Sequence, residues 1–412
     1  RFQSILLILR QSPLFSITHA LQVPDSSKSD STRFFIIRLV TTMATISESF
    51  NINFICLRIF GVIWPGKNFS IYFKFYSGFY IFITLIVYYV LLILNLFYTP
   101  RNIELLIREI LFCFAETLAV SKAVMIFLNQ KPLVRAFHIL DCEHFKGQDD
   151  SSRKIVSQYI AKYKTYWKFV AVLSHMSYLC KIFVQIGYCF YGHVELPFYN
   201  YYFLEKETID RYFVFLWLYQ ACGIYGHMLY NMNVNTLIAG LFLIVVAQVE
   251  ILDHELRSLK VDNSSEEVQV IKLNKCLRHY EILLQYSNEV QDITSVTMFV
   301  QFTVASGSIC AILCSLLLVD LFLQNFIFIP SYLGTQLRFK SQKLVNAAYC
   351  SEWIARSESF KRSLKLFMLR ANIPIHFSGC GLFPLTLDTF TSIMKSAYSF
   401  FTIVRNFQNH EK

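Results

Sequence analysis

From Tyr212 to Val249 the chain runs for 38 residues without an Asp, Glu, Lys or Arg, and His227 is the one side chain among them that could carry a positive charge. As a helix this run would reach roughly 57 Å at 1.5 Å per residue, well past the ~30 Å hydrocarbon core of a bilayer. A segment of this kind does not fit a small soluble core. It is either one helix projecting out of a membrane or two spans joined at its polar middle, NMNVN at 231–235. The run by itself leaves both arrangements open.

The rest of the chain points the same way. It is 55% hydrophobic, 17% aromatic and only 16% charged, with a mean hydropathy of +0.43, whereas soluble domains carry about 25% charged residues. The net charge of +10 does not indicate a nucleic-acid partner, because the basic residues are scattered between apolar runs rather than gathered on one domain or interleaved with a binding motif. Eleven cysteines, an odd number, fall mostly inside apolar runs (Cys113, Cys180, Cys222, Cys310, Cys314) with no CxxC pair. They read as small apolar packing residues rather than a disulfide or metal framework.

Seven runs reach the length of a transmembrane helix: Phe75 to Phe97, Ile110 to Leu128, Phe169 to Tyr191, one within Tyr212 to Val249, Ile293 to Val319, Leu321 to Leu337, and Leu382 to Val404. Lys and Arg decide between one fourth span and two. If the fourth run is kept whole, the loops at 129–165, 250–292 and 338–381 share one side and hold twenty Lys and Arg, against five in 98–103, 192–211 and the tail. The positive-inside rule then places the N-terminus in the cytosol and the C-terminus outside. The expected fold is therefore an all-α polytopic membrane protein with seven transmembrane helices in that orientation. Two sequons, at Asn68 and Asn263, fall on cytosolic segments and should stay unglycosylated.

The first methionine is Met43, and Arg10 interrupts the short apolar core of RFQSILLILRQ, so residues 1–42 read as an upstream extension or a gene-model artefact preceding a seven-helix domain over 43–412. Asp210-Arg211-Tyr212 matches a tripeptide of G-protein-coupled receptors, but it lies on the expected outer face and the seventh span has no NPxxY. His138, Cys142 and His144 imitate metal spacing inside a charged segment, and neither a metal nor another cofactor is expected. Asp253-His254-Glu255 reads as the solvated end of the fourth helix. Gly379 and Gly381 do not make a phosphate loop. A multi-span membrane enzyme would need a His and a carboxylate paired at one membrane face.

Several local motifs, in order along residues 43–407, resemble the insect odorant receptors. Gly61-Val62-Ile63-Trp64-Pro65 is similar to the family's GxWP before its first span, and Leu196-Pro197-Phe198 with Tyr201 and Tyr202 looks like its second outer loop. Tyr219-Gln220, Ser308-Ile309-Cys310, and the set Ser341, Leu344, Ala348-Tyr349 and Trp353 follow in register. Thr389-Phe390, Ile393, Lys395 and Ala397-Tyr398-Ser399-Phe400-Phe401 look like its closing signature. One departure is the stretch between Gln336 and Ser341, where only Leu-Arg-Phe-Lys stands. That leaves an expected sixth span of 17 residues with Pro330 inside. Gustatory receptors of the same superfamily are the alternative, but their closing TY and Q are replaced here by Ser399-Phe400 and Asn406.

The resemblance implies an odorant-sensing subunit of a cation channel, a heterotetramer with an obligate co-receptor, in the plasma membrane of olfactory sensory neuron dendrites. On a helix of 100° per residue, Ser392, Lys395, Ser396, Ser399, Ile403, Asn406 and Phe407 fall on one face of the last segment, with Ile393, Met394, Ala397, Phe401 and Val404 turned away. Such a polar stripe suits either a water-filled path or interhelical hydrogen bonding. The resemblance makes the last helix, 382–407, pore-lining, with Ile403 and Phe407 at a hydrophobic constriction that would close by dewetting. It also implies a pocket for a small apolar volatile among the outer halves of the second, third, fourth and sixth helices. Candidates are Phe112 and Phe114 on the second helix and Phe183, Gly187 and Tyr188 on the third. Phe213, Trp217 and Gln220 on the fourth, and Phe328 and Tyr332 on the sixth, complete the set.

Overall fold

The computed structural model describes residues 46–61, 71–147, 149–190, 196–261, 265–315 and 321–410. The expected extension at 1–42, the motif at 62–65 and the sequons at Asn68 and Asn263 lie outside the described residues, as do the side chains of Cys189, Cys310, Cys314, Val404, Asn406 and Phe407.

Among the described residues the chain is helical apart from one two-stranded hairpin. A 3₁₀ turn, Ile46–Phe50, leads into α1 (Asn51–Ile59); α2 (Ile71–Ile81) and α3 (Tyr88–Tyr98) are joined by a π turn, Phe82–Val87. Then come α4 (Ile103–Leu128), α5 (Gln130–Leu140), α6 (Asp150–Phe190), α7 (Lys206–Arg211), α8 (Phe213–Val261), α9 (Glu266–Ser315), α10 (Leu321–Tyr349), α11 (Glu358–Ala371), β1 (Ser378–Gly379), β2 (Phe383–Pro384) and α12 (Leu387–His410). Four described segments are long and apolar enough to cross a membrane: Phe75–Tyr98, Leu105–Leu128, Asp150–Tyr188 and Phe213–Leu259. Along α2 and α3 the exposed residues Phe75, Phe79, Phe82, Ile86, Val90, Leu94 and Phe97 recur every three or four positions. They form an outward apolar stripe of the kind a lipid-facing helix presents.

The fourth run is one helix of 49 residues, about 74 Å long at 1.5 Å per residue. It forms the centre of the molecule, packed by α10, α6, α9, α1 and α4. Between Met232 and Leu252 nearly every side chain is buried, as in a helix that is apolar all round. The polar NMNVN at its middle does not mark a turn. Lys122 of α4 donates to the Asn231 side chain, and Asn53 of α1 donates to the Asn233 carbonyl and to Thr236 Oγ1, both at 2.9 Å. Tyr163 of α6 in turn donates to Asn53 Oδ1 at 2.7 Å. Three helices are thus tied to α8 by polar groups that would be costly to bury alone.

Several elements are longer than expected. The cytosolic part of the third span continues the helix, so α6 starts at Asp150. The sixth span is no 17-residue stub: α10 runs through Pro330 and on past Arg338 and Lys340 for 29 residues. Its extension packs on α8, with Lys340 bonding the Glu250 carboxylate and Tyr159 of α6 donating to the same carboxylate at 2.6 Å. Glu255, expected to be solvated, faces the buried His279 Nδ1 of α9 at 3.2 Å, while His279 Nε2 lies 3.0 Å from Gln248 Oε1.

The last helix begins at Leu387 rather than Leu382 because the preceding residues form the hairpin. Cys380 and Gly381 take left-handed φ values of 49° and 70°, and the Leu382 amide closes the turn onto the Gly379 carbonyl at 2.9 Å. Gln291 of α9 exchanges two hydrogen bonds with the Ser378 backbone, at 2.9 and 3.0 Å, which pins the hairpin to α9. Gly334 lets α10 lie so close to the chain entering α12 that a Cβ there would strike the Leu385 carbonyl. The Leu387 amide then donates to Thr335 Oγ1 at 2.9 Å, fixing where α12 starts.

Candidate ligand site and the polar helix face

The outer loop after α6 folds down between α3, α4 and α8 instead of lying over them. Its Leu196, Tyr199 and Tyr201 are buried with Tyr88 and Leu92 of α3 in one aromatic cluster. Tyr199 meets Tyr88 edge to face at 6.0 Å between ring centroids and Tyr201 at 5.4 Å, arrangements that favour aromatic pairs beyond area burial. Polar groups fix the loop from both sides. Gln220, fully buried, donates to the Tyr199 carbonyl at 2.8 Å and accepts from the Phe198 amide at 3.3 Å. Asn95 accepts from the Tyr202 amide at 2.7 Å and donates to Glu109 at 3.1 Å.

Phe112, Phe213 and Trp217 pack against this cluster, so three of the candidate pocket residues are brought together. Phe213 and Trp217 also line a groove of ≈ 330 Å³ between α6 and α8, with Ile186, Phe190, Val214 and Leu218 as the other walls. That volume lies at the small end of ligand pockets, which run from about 300 to 1,000 Å³. Gln220 has a different place from the one expected: both ends of its amide are taken up by the loop backbone, so it shapes the site from behind. Phe183 (66% exposed) and Tyr188 (54% exposed) point outward, and Gly187 has open space around it. Phe114 lies against Gly307 of α9. Tyr332 stacks on Phe328 at 6.2 Å, and Phe328 meets Phe390 of α12 edge to face at 5.7 Å, so the sixth-helix candidates adjoin the last helix instead of the aromatic cluster.

Below the cluster lies a polar pair that the residue pattern did not single out. His227 Nδ1 is 2.6 Å from the Glu116 carboxylate, and its Nε2 is 2.6 Å from the Thr84 carbonyl, inside the π turn. Tyr219 donates to the neighbouring Ile83 carbonyl at 3.1 Å. The π turn is therefore where the first span offers backbone to α8, and such turns recur at functional sites. Tyr88 covers His227 edge to face at 5.0 Å. The signal for this pair was available: a carboxylate inside a 24-residue apolar span. A His paired with a carboxylate is what an enzyme would need, but both ring nitrogens already face protein oxygen and neither is left for a substrate. Among the described residues no group of three His, Cys, Asp or Glu could hold a metal ion.

On α12 the sequence-derived faces separate in space. Ser392, Lys395, Ser396, Ser399 and Ile403 are exposed, Ile403 at 53%. Ile393, Met394 and Phe401 are half-buried and Ala397 is buried at 1% against the bundle.

A family model described as 7tm Odorant receptor matches residues 102–398. Odorant receptor 10 of Aedes albopictus is 26% identical over 182 residues, 40% of this chain and 48% of that receptor, so the chain spans about half its length. Odorant receptor 22a of Drosophila melanogaster is 23% identical over 308 residues, covering 71% of this chain and 75% of that receptor. The solved structure of the insect olfactory receptor OR5 from Machilis hrabei in complex with eugenol superposes with a TM-score of 0.76 at 16% identity, over 91% of this chain and 100% of that one. The shared fold is the all-α, seven-span membrane architecture.

Proposed function

Because the chain belongs to the 7tm odorant receptor family, whose members are receptors and not enzymes, we propose that it is the odorant-sensing subunit of a ligand-gated cation channel assembled with an obligate co-receptor. It works in the plasma membrane of olfactory sensory neuron dendrites, N-terminus inside, as part of a heterotetramer. The observation that carries the channel reading is the exposed polar face of α12. Ser392, Lys395, Ser396 and Ser399 are exposed on a helix whose opposite face is packed, and polar side chains at membrane depth face water or a partner rather than lipid. Ile403, which the sequence register aligns with Asn406 and Phe407, supplies the hydrophobic constriction that opens by wetting.

The odorant, a small apolar volatile, occupies the groove beside Phe213 and Trp217 and the aromatic cluster beyond it, with Phe112 on the far side. Phe183, Gly187 and Tyr188 form the outward approach on α6, and Tyr332 relays occupancy to α12 through Phe328 and Phe390.

Co-expression tests the assembly: the chain alone should give no odour-evoked current, and with the co-receptor it should give a cation current that persists when GTP is withheld. Cysteine scanning tests the face. Cysteines at Ser396, Ser399 and Ile403 should react with a charged thiol reagent applied from outside, faster with odorant present, and cysteines at Ala397 and Phe401 should not. Cys180, Cys222, Cys350 and Cys380 are exposed and are replaced first. Cys276, its thiol pushed up to about 12 by burial and, to a smaller extent, by the Glu255 charge, can stay. Equal reactivity on both faces would reduce the stripe to packing.

A further inference from the structure

The inner third of α6 presents a face that neither odorant binding nor the α12 stripe uses. From Arg153 to Phe190 the helix carries Arg153, Lys154, Lys162, Lys164, Lys168 and Lys181 and no Asp or Glu. The first five of these are exposed, whereas Val156, Tyr159, Tyr163 and Val170 turn into the bundle. On the outward side Gln158, Ala161, Lys162, Thr165, Tyr166 and Phe169 line a groove of ≈ 640 Å³. Glu250, the acidic neighbour, is engaged by Tyr159 and Lys340.

Beyond the groove the same helix face continues into the apolar span. Gln158, Lys162 and Thr165 are followed at three- and four-residue steps by Phe169, Val172 and Met176, all exposed, so polar and apolar halves lie on one face of one helix. The change falls where the charged part of α6 meets its lipid-facing part, with Tyr166 and Trp167 at the boundary, the depth at which aromatic residues collect. We infer that this face is a binding site for a single anionic phospholipid of the cytosolic leaflet. Its phosphate sits against Lys162 and Thr165, with Lys164 and Lys168 supplying further positive field, and one acyl chain lies along Phe169, Val172 and Met176. Assignment to the cytosolic leaflet rests on the orientation proposed above.

The test uses the full chain, purified in detergent and mixed with equal amounts of phosphatidylserine and phosphatidylcholine, with retained lipid counted by native mass spectrometry. The parent should retain phosphatidylserine in preference to phosphatidylcholine, and less of it as salt is raised. A cation at an anionic lipid surface contributes roughly five-fold to binding, and Lys164 and Lys168 act only through their field, so K162A/K164A/K168A should weaken retention on the order of tenfold. The Lys→Arg triple should retain it, and K275A/K343A, which removes exposed cations elsewhere, should behave as the parent. Phe169→Ser should weaken retention of the lipid and leave soluble glycerophosphoserine unaffected. Equal retention of the two lipids, an unchanged alanine triple, or glycerophosphoserine bound as tightly as the lipid would each overturn the site. Should the alanine triple fail to fold, the salt dependence and the Phe169 variant decide. Current is not the readout, so a subunit that fails to conduct can still pass, and a failed lipid test leaves the channel reading standing.

Discussion

In α8 the polar residues point inward: Asn231 receives Lys122, the Asn233 carbonyl and Thr236 receive Asn53, and Gln220 and His227 hold the outer loop and the π turn. In α12 they point outward, and Ser392, Lys395, Ser396 and Ser399 remain exposed while small and apolar residues meet the bundle. Both helices are apolar runs interrupted by polar residues, and in sequence the interruptions look alike. The difference lies in whether another helix supplies a partner. A polar group tied to a neighbour fixes where helices sit, whereas one left on the outside needs water or a further subunit. The contrast gives each helix its own expected response to mutation.

The largest effect should come from the inward set. Asn53→Leu removes one amide and strips partners from Asn233, Thr236 and Tyr163 at once, at the junction of α1, α6 and α8. A buried group that loses its partner costs about 1–3 kcal/mol, and three lose theirs together, so the variant should lose most of its folded yield and melt well below the parent in a thermal-shift assay of purified protein. Normal yield and melting would mean that α8 is held by apolar packing alone, and the contrast with α12 would lose its first half.

Next in size is the proposed ligand site beside α8. Trp217 is shared by the groove and the aromatic cluster, so Trp217→Ala removes a wall from one and a packing partner from the other. Loss of a buried aromatic contact of this kind costs a few kcal/mol of binding, on the order of a hundredfold in the odorant concentration giving half-maximal current. Currents evoked by an agonist acting directly on the co-receptor should be unchanged. Equal loss of both would show that Trp217 supports the fold and not the ligand.

Composition and charge carried most of the architecture. The seven-span fold and the single fourth helix followed from the length of the apolar runs and from where Lys and Arg collect, because both are set by the bilayer and not by tertiary detail. Helix ends were less legible: α6 and α10 continue past their apolar parts because their charged extensions pack on α8 and α9, a stabilisation that a hydropathy window does not register. That Phe112, Phe213 and Trp217 gather on one cluster was legible, since they are large and lie near the loop. Gln220 was picked out by type but its task was not, since only the folded loop shows both amide ends engaged. Glu116 carries a local signal, a carboxylate inside an apolar span, but its partner does not, because a second-span carboxylate and a fourth-span imidazole 111 positions apart in sequence leave no joint pattern.

The smallest expected effect belongs to the outward set and tests the other half of the contrast. Ser399 is exposed on α12, opposite the buried Ala397, so Ser399→Ala takes nothing from the interior of the subunit. Its effect on the stability of the isolated chain should fall within about 0.5 kcal/mol, as for surface substitutions generally, and thermal melting should match the parent. In the proposed heteromeric channel the same change removes a hydroxyl from the water-lined face and should lower single-channel conductance modestly, diluted by the other subunits around the axis. Ala397→Ser offers the mirror image, placing a hydroxyl against the bundle and costing stability without altering conductance. If Ser399→Ala instead lowers the melting point of the isolated subunit, the serine is bonded within the bundle in the membrane, and α12 uses its polar residues as α8 does.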